Sequence, residues 1–545
     1  MIVDLQSYDC DQLPEFDVAI AGAGVAGLTL AAHLDGCGLR VAVLESGLLD
    51  ADSGIQSLYR GENVGLPYYP LETARSRQFG GSSNRWLLEI GDDRTGARLF
   101  PMDPLDFETR EWVANSGWPF GFSEIHPYYE KASEFLDLAS RGFEARAWVS
   151  GDQIGGLPFT DGDVYSKVYQ CVGQEFFGDH CRNLMQDSEN ITVFLNANLT
   201  RINVSSAGDC VTGFSVTTFQ GKEFRVLSKE YVLATGAIAS ASVLLASRMP
   251  DGTAVGNQND LVGRYFMEHP HLWNGVYIPS NHRLMAHQGF YSLHKHPNST
   301  PIVGQISLSQ ETQRQHQLLN HSIVLNAARK PQKALKPHSV SGGVQSLRES
   351  ARAFLRGDLE AASRHASTLV PVAGTMSVKL YRRTMKITRR FIDLRRKKVF
   401  RLNHMAEQVP NPNSRVTLGE STDKFGVPVA KLDWQITKQE IASLRATMDF
   451  IKQKLESQGL GTIQYDLRSN EPPADLHGGW HHMGTTRMSN SERSGVTDAN
   501  GNVHGISNFM VAGPSNFPTS GSANPTYTIV ALAIRASEHL RKKLS

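Results

Sequence analysis

At 545 residues the chain is too long for one compact core, so two or three domains are expected. A composition of 40% hydrophobic and 20% charged residues is ordinary for a soluble globular protein. The formal charge of +1 gives no global reason to expect nucleic acid or an acidic partner.

The N-terminal stretch MIVDLQSYDCDQLPEFD carries acids where a secretion signal has basic and then apolar residues. No uncharged apolar run of membrane-spanning length follows anywhere. Five cysteines (Cys10, Cys37, Cys171, Cys181, Cys210) are odd in number and lack CxxC spacing, which argues against a disulfide set or a zinc site. A cytoplasmic protein with reduced thiols is the expectation. The Asn-x-Thr triplets at Asn190 and Asn198 then read as chance matches.

Residues 16–21, FDVAIA, form a short apolar β-run, and 39–44, LRVAVL, form another. The intervening GAGVAGLTLAAHLDGCG has helical spacing and ends in a glycine pair suited to a helix stop. This β-α-β pattern starts a doubly wound sheet, and Gly22, Gly24 and Gly27 give it a GxGxxG turn. The first two glycines allow a tight turn and close approach to a pyrophosphate, and the third lets helix pack on strand. Glu45 ends the second strand, where its carboxylate can accept ribose hydroxyls. A dinucleotide site follows; the motif alone does not separate FAD from NAD.

Residues 191–235 alternate as a β-meander that returns to the same sheet at Tyr231–Ala234. From about 275 to 470 the pattern is less regular. Strands are expected near 301–308 and 321–327, and helices near 345–356 and 437–458. The segment 379–401 holds eleven Lys or Arg and one acid, with Leu380, Ile387, Phe391 and Leu394 at helical spacing. It reads as a basic amphipathic helix: either a solvated helix packed by its apolar stripe, or a contact for anionic lipid, an anionic substrate or a redox partner. The last 70 residues are Gly-rich loops that end in a helix over 526–543.

HGGWHHMGTTRM holds His477, His481 and His482. A zinc reading fails because adjacent histidines point apart and no carboxylate or Cys completes a ligand set, so no metal is expected.

Further motifs carry a family likeness. Leu233-Ala234-Thr235-Gly236-Ala237, with Asn516-Phe517-Pro518, is similar to flavoprotein signatures. Phe79–Trp86 (FGGSSNRW), Val262–Pro270 (VGRYFMEHP) and the tail from Trp480 to Ala536 come in family order. Together they resemble the glucose–methanol–choline (GMC) oxidoreductases, closest in motif to pyranose oxidases and bacterial sugar dehydrogenases; residues 280–400 match least. The resemblance implies an α/β fold of the p-hydroxybenzoate hydroxylase type, with a Rossmann-like FAD domain and a discontinuous α+β substrate domain. The expected division is 14–120, 185–275 and 475–545 for FAD, and 121–184 and 276–474 for substrate.

It further implies noncovalent FAD, since Arg85 stands where covalently flavinylated relatives have histidine. Gly80, Gly81, Ser82 and Asn84 would line flavin and pyrophosphate, with Leu199 by the adenine, and Ala234 and Gly236 in the glycine turn near the FAD. Gly513 would approach the pyrophosphate and ribityl chain. Pro525 and Thr526 would open the last helix toward the flavin edge, where a helix N-terminus stabilises the negative charge of reduced flavin. The family's His-x-x-Gly-Thr pattern selects His481 as base and places its partner at Asn524. The implied reaction is hydride transfer from an alcohol carbon, on a sugar or glycoside, to flavin N5. The electron acceptor is open among oxygen, a quinone and a redox protein. Other readings are a flavoenzyme for non-sugar alcohols, a lyase-like flavoprotein, an NAD-dependent dehydrogenase, and a carrier with a degenerate site.

Overall fold

The structure, a computed structural model, describes residues 1–9, 12–149, 154–295, 299–328, 399–467 and 471–545. The expected helix at 345–356 and nearly all of the basic segment 379–401 lie outside the described residues. Of that segment only Val399, Phe400 and Arg401 are described, and they open a β-strand.

Six parallel strands form the first sheet, in the order Ile2–Asp4, Ile191–Leu195, Val41–Leu44, Phe16–Ala21, Ser228–Leu233 and Phe509–Val511. Phe16–Ala21 is buried at every position, which is why it reads as a continuous apolar run and not as an alternating one. Chain order reverses across Phe16–Ala21, so the carboxyl ends there form a crevice of the kind that holds nucleotides. The helices Val25–Ala32 and Thr526–Leu544 pack on one face, and Phe122–Phe135 packs outside the last helix. Opposite them lie an antiparallel three-stranded sheet (Asn198–Val204, Val211–Thr217, Glu223–Val226) and the helix Ala237–Ala246.

The second sheet is antiparallel. Its path runs Gly461–Gln464, Val276–Pro279, Val399–Ala406, His321–Ala328, Pro301–Leu308, Val164–Gly173, Arg94–Leu99 and Leu88–Gly91. The helix Lys438–Ser457 covers its back. Ile441, Leu444, Met448, Ile451 and Leu455 recur at three- and four-residue spacing, so one stripe is apolar and enters that core. Thr437 and Glu440 cap its start reciprocally. The front of the sheet, with Tyr169, Val303, Val324 and Met405, shares a core with Met483 and Ala523. It therefore faces the loops that follow the first sheet.

An α/β fold with a Rossmann-like sheet and a second β-rich unit is thus present. Strand pairing crosses the expected division in two places and helix packing in a third. Strands 88–91 and 94–99 join the large sheet through Val164–Gly173. Strands Arg415–Thr422 and Pro428–Asp433 pair with Gly61–Asn63 and pack on the helix Ala237–Ala246. Helix Phe122–Phe135 lies on the nucleotide side.

A buried ion pair ties the turn after the helix Pro104–Phe107 to the end of strand Val399–Ala406. The Arg110 guanidinium donates to both carboxylate oxygens of Glu407, and the Asn320 N–H donates to the same carboxylate at 2.9 Å. Both side chains are nearly inaccessible to solvent. Replacing Arg110 with Met strands a buried carboxylate, so stability should fall by about 3–5 kcal/mol. Urea unfolding reads this as a lower midpoint; an unchanged midpoint would contradict the pair's role.

Candidate active site

The GxGxxG turn forms a cradle at the carboxyl end of the first sheet. A Cβ on Gly27 would stand 1.9 Å from the Gly22 carbonyl oxygen, so only glycine lets this helix lie so close to its strand. The 80–85 turn closes over it. The Gly80 N–H donates to the Ala23 carbonyl at 2.9 Å, and a Cβ on Gly81 would meet Gly24 Cα at 2.8 Å. Asn84 donates to the carbonyls of Phe79 and Gly81 and so holds its own turn, while the Ser82 hydroxyl accepts from the Ser76 N–H at 3.3 Å.

Glu45 is buried, which raises its pKa. Its carboxylate accepts from the N–H groups of Ala23 at 2.9 Å and Gly47 at 2.7 Å. Leu199 lies just past Ala197, whose N–H bonds the Glu45 carbonyl. Ala234 bonds the Ala21 carbonyl, and Gly236 starts the helix Ala237–Ala246. Gly513 stands 3.5 Å from Ala26, measured from a Cβ built on it. Neither the helix after Gly24 nor the helix after Pro525 has a side-chain cap among the described residues, so the N–H groups of two first turns, positive dipole ends, are free for an anion.

The histidine loop is built by strand pairing. Segments 267–271 and 477–483 run antiparallel, joined at Met267–Met483 and His271–His477. Between these bridges the second segment has two extra residues and bulges, with Trp480 at φ 60°. Its N–H groups then lack strand partners. Glu268 supplies them. Its carboxylate accepts from the N–H groups of His269 at 3.0 Å, Gly479 at 2.9 Å and His481 at 3.0 Å, and from the Tyr68 hydroxyl. Burial pushes this carboxyl up to about 7, while the four donors pull it back.

The bulge turns His481 and His482 to opposite sides. His481 Nε2 lies 3.1 Å from Asn524 Nδ2, and its Nδ1 lies 2.9 Å from His269 Nδ1. Asn524 Oδ1 is buried and has no hydrogen-bond partner among the described residues. His482 Nε2 instead meets the Tyr68 hydroxyl at 2.7 Å, and burial lowers its pKa to about 3. His477 bonds the Asp475 carbonyl at 2.8 Å. Among the described residues no cluster of His, Cys, Asp or Glu is arranged to hold a metal, and no helix is long and apolar enough to cross a membrane.

The arrangement thus joins His481 and Asn524, from segments 43 residues apart, at the start of the last helix. Sequence reasoning passed over Glu268, Tyr68 and His269. The signal was an adjacent acid and histidine directly ahead of Pro270 in the VGRYFMEHP motif.

Residues 410–533, which include both His481 and Asn524, match the family model described as GMC oxidoreductase. Paromamine 6'-oxidase of Streptomyces fradiae is 24% identical, over 96% of this chain and 91% of its own length. The fructose dehydrogenase large subunit of Gluconobacter japonicus is 22% identical, over 97% of this chain and 98% of its own. The crystal structure of pyridoxine 4-oxidase from Mesorbium loti superposes with a TM-score of 0.53 at 15% identity. That match covers 96% of this chain and 98% of the other and shows a shared fold.

Burial lowers the His481 pKa well below 6.5, reinforced by His269, His271, Arg98 and His482 around it. The ring should therefore stay neutral as pH falls, and gain charge only well on the acid side of an ordinary histidine. In an NMR titration, with the resonance assigned through a His481→Gln variant, the signal should not move between about pH 8 and pH 6.5. A midpoint at or above 6.5 would contradict the burial argument.

Proposed function

This chain belongs to the GMC oxidoreductase family, and from that premise we propose that it is an FAD-dependent enzyme that oxidises a hydroxyl-bearing carbon of a sugar or glycoside. The observation that carries the reading is the 3.1 Å contact between His481 Nε2 and Asn524 Nδ2 at the uncapped start of the last helix. Bound FAD supplies the hydride acceptor. A substrate hydroxyl would open this contact and take its place: its O–H donates to His481 Nε2, and its oxygen accepts from Asn524 Nδ2–H. Histidine then takes the hydroxyl proton as hydride leaves the carbon, and the amide stabilises the alkoxide-like oxygen where charge develops. Asn524 cannot take a proton, so the two roles do not exchange.

The glycine cradle supports the cofactor. Gly22, Gly24 and Gly27 with the first helical turn would hold the pyrophosphate, and Glu45 a ribose. Gly80, Gly81, Ser82, Asn84 and Gly513 would flank the phosphates and flavin, Leu199 would lie by the adenine, and Ala234 and Gly236 would form the turn near the FAD. Pro525 and Thr526 would present the helix end to the flavin edge. We assign the six-stranded sheet and its helices to FAD, and the large antiparallel sheet to substrate. Polar groups on the front of that sheet suit a polyhydroxylated substrate: Tyr169, Gln305 and Ser322 are buried and hydrogen-bonded to one another. Relatives named for fructose and paromamine support the same substrate class.

Two experiments test this. His481→Ala should slow anaerobic flavin reduction by about 10²–10⁴-fold with FAD content near stoichiometric, while His482→Ala costs much less. The reverse ranking would move the base to His482. FAD should be noncovalent, because Arg85 stays protonated and cannot serve as an attaching nucleophile. Acid precipitation should then give a yellow supernatant and a colourless pellet; colour that survives washing in the pellet would refute it.

A further inference from the structure

We propose that His269 is a positioning residue that fixes the tautomer of His481 and leaves its Nε2 bare toward Asn524. The inference rests on the reading of His481 as the base, and the hydrogen-bond chain around it has a single consistent direction. His269 Nε2 lies 3.2 Å from the Ser520 carbonyl oxygen and 3.0 Å from that of Gly521. Carbonyls only accept, so this nitrogen carries a hydrogen. A neutral imidazole has one N–H, and burial keeps His269 neutral by lowering its pKa to about 4. Its Nδ1 is therefore an acceptor.

His481 Nδ1, 2.9 Å away, must donate to it. His481 is then protonated on Nδ1 and bare on Nε2, the nitrogen that faces the Asn524 amide. The opposite assignment would set two lone pairs against each other at 2.9 Å, or leave two carbonyls without their donor.

The far end of the chain is fixed. The Ser520 hydroxyl accepts from the Gln408 N–H at 3.0 Å. Gly521, at φ 53°, lies so close to Asp106 that a Cβ there would stand 2.5 Å from its carboxylate. Residues 520–524 thus hold both ends of the circuit, the accepting carbonyls and the donating amide. After His481 takes a proton, His269 still accepts from Nδ1–H, so the same contact serves the free base and the charged ring. An acceptor without formal charge does this without raising the basicity of His481 as a carboxylate would.

The test uses the FAD-loaded enzyme and three variants. His269→Leu removes the acceptor and should lower the rate of anaerobic flavin reduction by about 10- to 100-fold, with KM and FAD content little changed. His269→Asn, whose Oδ1 can replace Nδ1 as acceptor, should recover most of that loss. ¹⁵N-histidine NMR should show His481 protonated on Nδ1 and bare on Nε2 in the wild type, with proton density moving to Nε2 in His269→Leu. A wild-type His481 protonated on Nε2 would overturn the proposal, as would His269→Leu with unchanged nitrogen shifts. If His481→Ala left flavin reduction intact, the base assignment would fail, while the nitrogen shifts would still decide the tautomer.

Discussion

The geometry of the candidate site depends on one buried carboxylate. Two extra residues in the segment 477–483 give the chain a bulge, and a bulge leaves backbone N–H groups without strand partners. Such groups cost about 1–3 kcal/mol each when buried and unpaired. Glu268, on the facing segment, accepts from two of them and from the N–H of His269. The bulge is stable because that side chain fills it, and the bulge is what turns His481 and His482 to opposite sides. One adjacent pair of histidines can then serve two different purposes. His482 joins Tyr68 beside the carboxylate, and His481 reaches Asn524.

Holding the other half of the pair in place falls to the 519–524 loop. Thr519 donates to the Asp106 carbonyl at 2.7 Å and accepts from the Trp118 indole at 2.8 Å. Ser522 donates to Asn320 Oδ1 at 2.9 Å, and the Asn320 amide donates to Asp106. Burial and the neighbouring carboxylates of Glu407 and Asp103 push Asp106 up to about 8. A carboxyl is kept in this unfavourable setting where it supports the backbone that carries Asn524. Rigid support of this kind holds Asn524 within 3.1 Å of His481.

Much of the fold could be read from local pattern. Phe16–Ala21 and Pro301–Leu308 are buried at every position and appear as apolar runs. The helix Lys438–Ser457 shows its buried stripe at helical spacing, and the last helix follows a Pro that fixes its start. The pairing of the hairpin at 88–99 with the large sheet is not legible in the sequence, for a physical reason. The hairpin's alternation is weak, and its partner, Val164–Gly173, lies some 70 residues away in a register that only the folded chain sets. The positions of His481 and Asn524 could be proposed from short motifs. The roles of Glu268 and His269 could not, because each depends on the pairing of segments about 210 residues apart.

The central claim is that one substrate hydroxyl sits between His481 and Asn524. A crystal structure of the FAD-loaded enzyme with an unreactive sugar analogue tests it most directly. The account predicts that the His481–Asn524 contact opens and that one hydroxyl oxygen lies within hydrogen-bond reach of both His481 Nε2 and Asn524 Nδ2. An analogue bound with no hydroxyl at that position, or with its hydroxyl on His482, would contradict it.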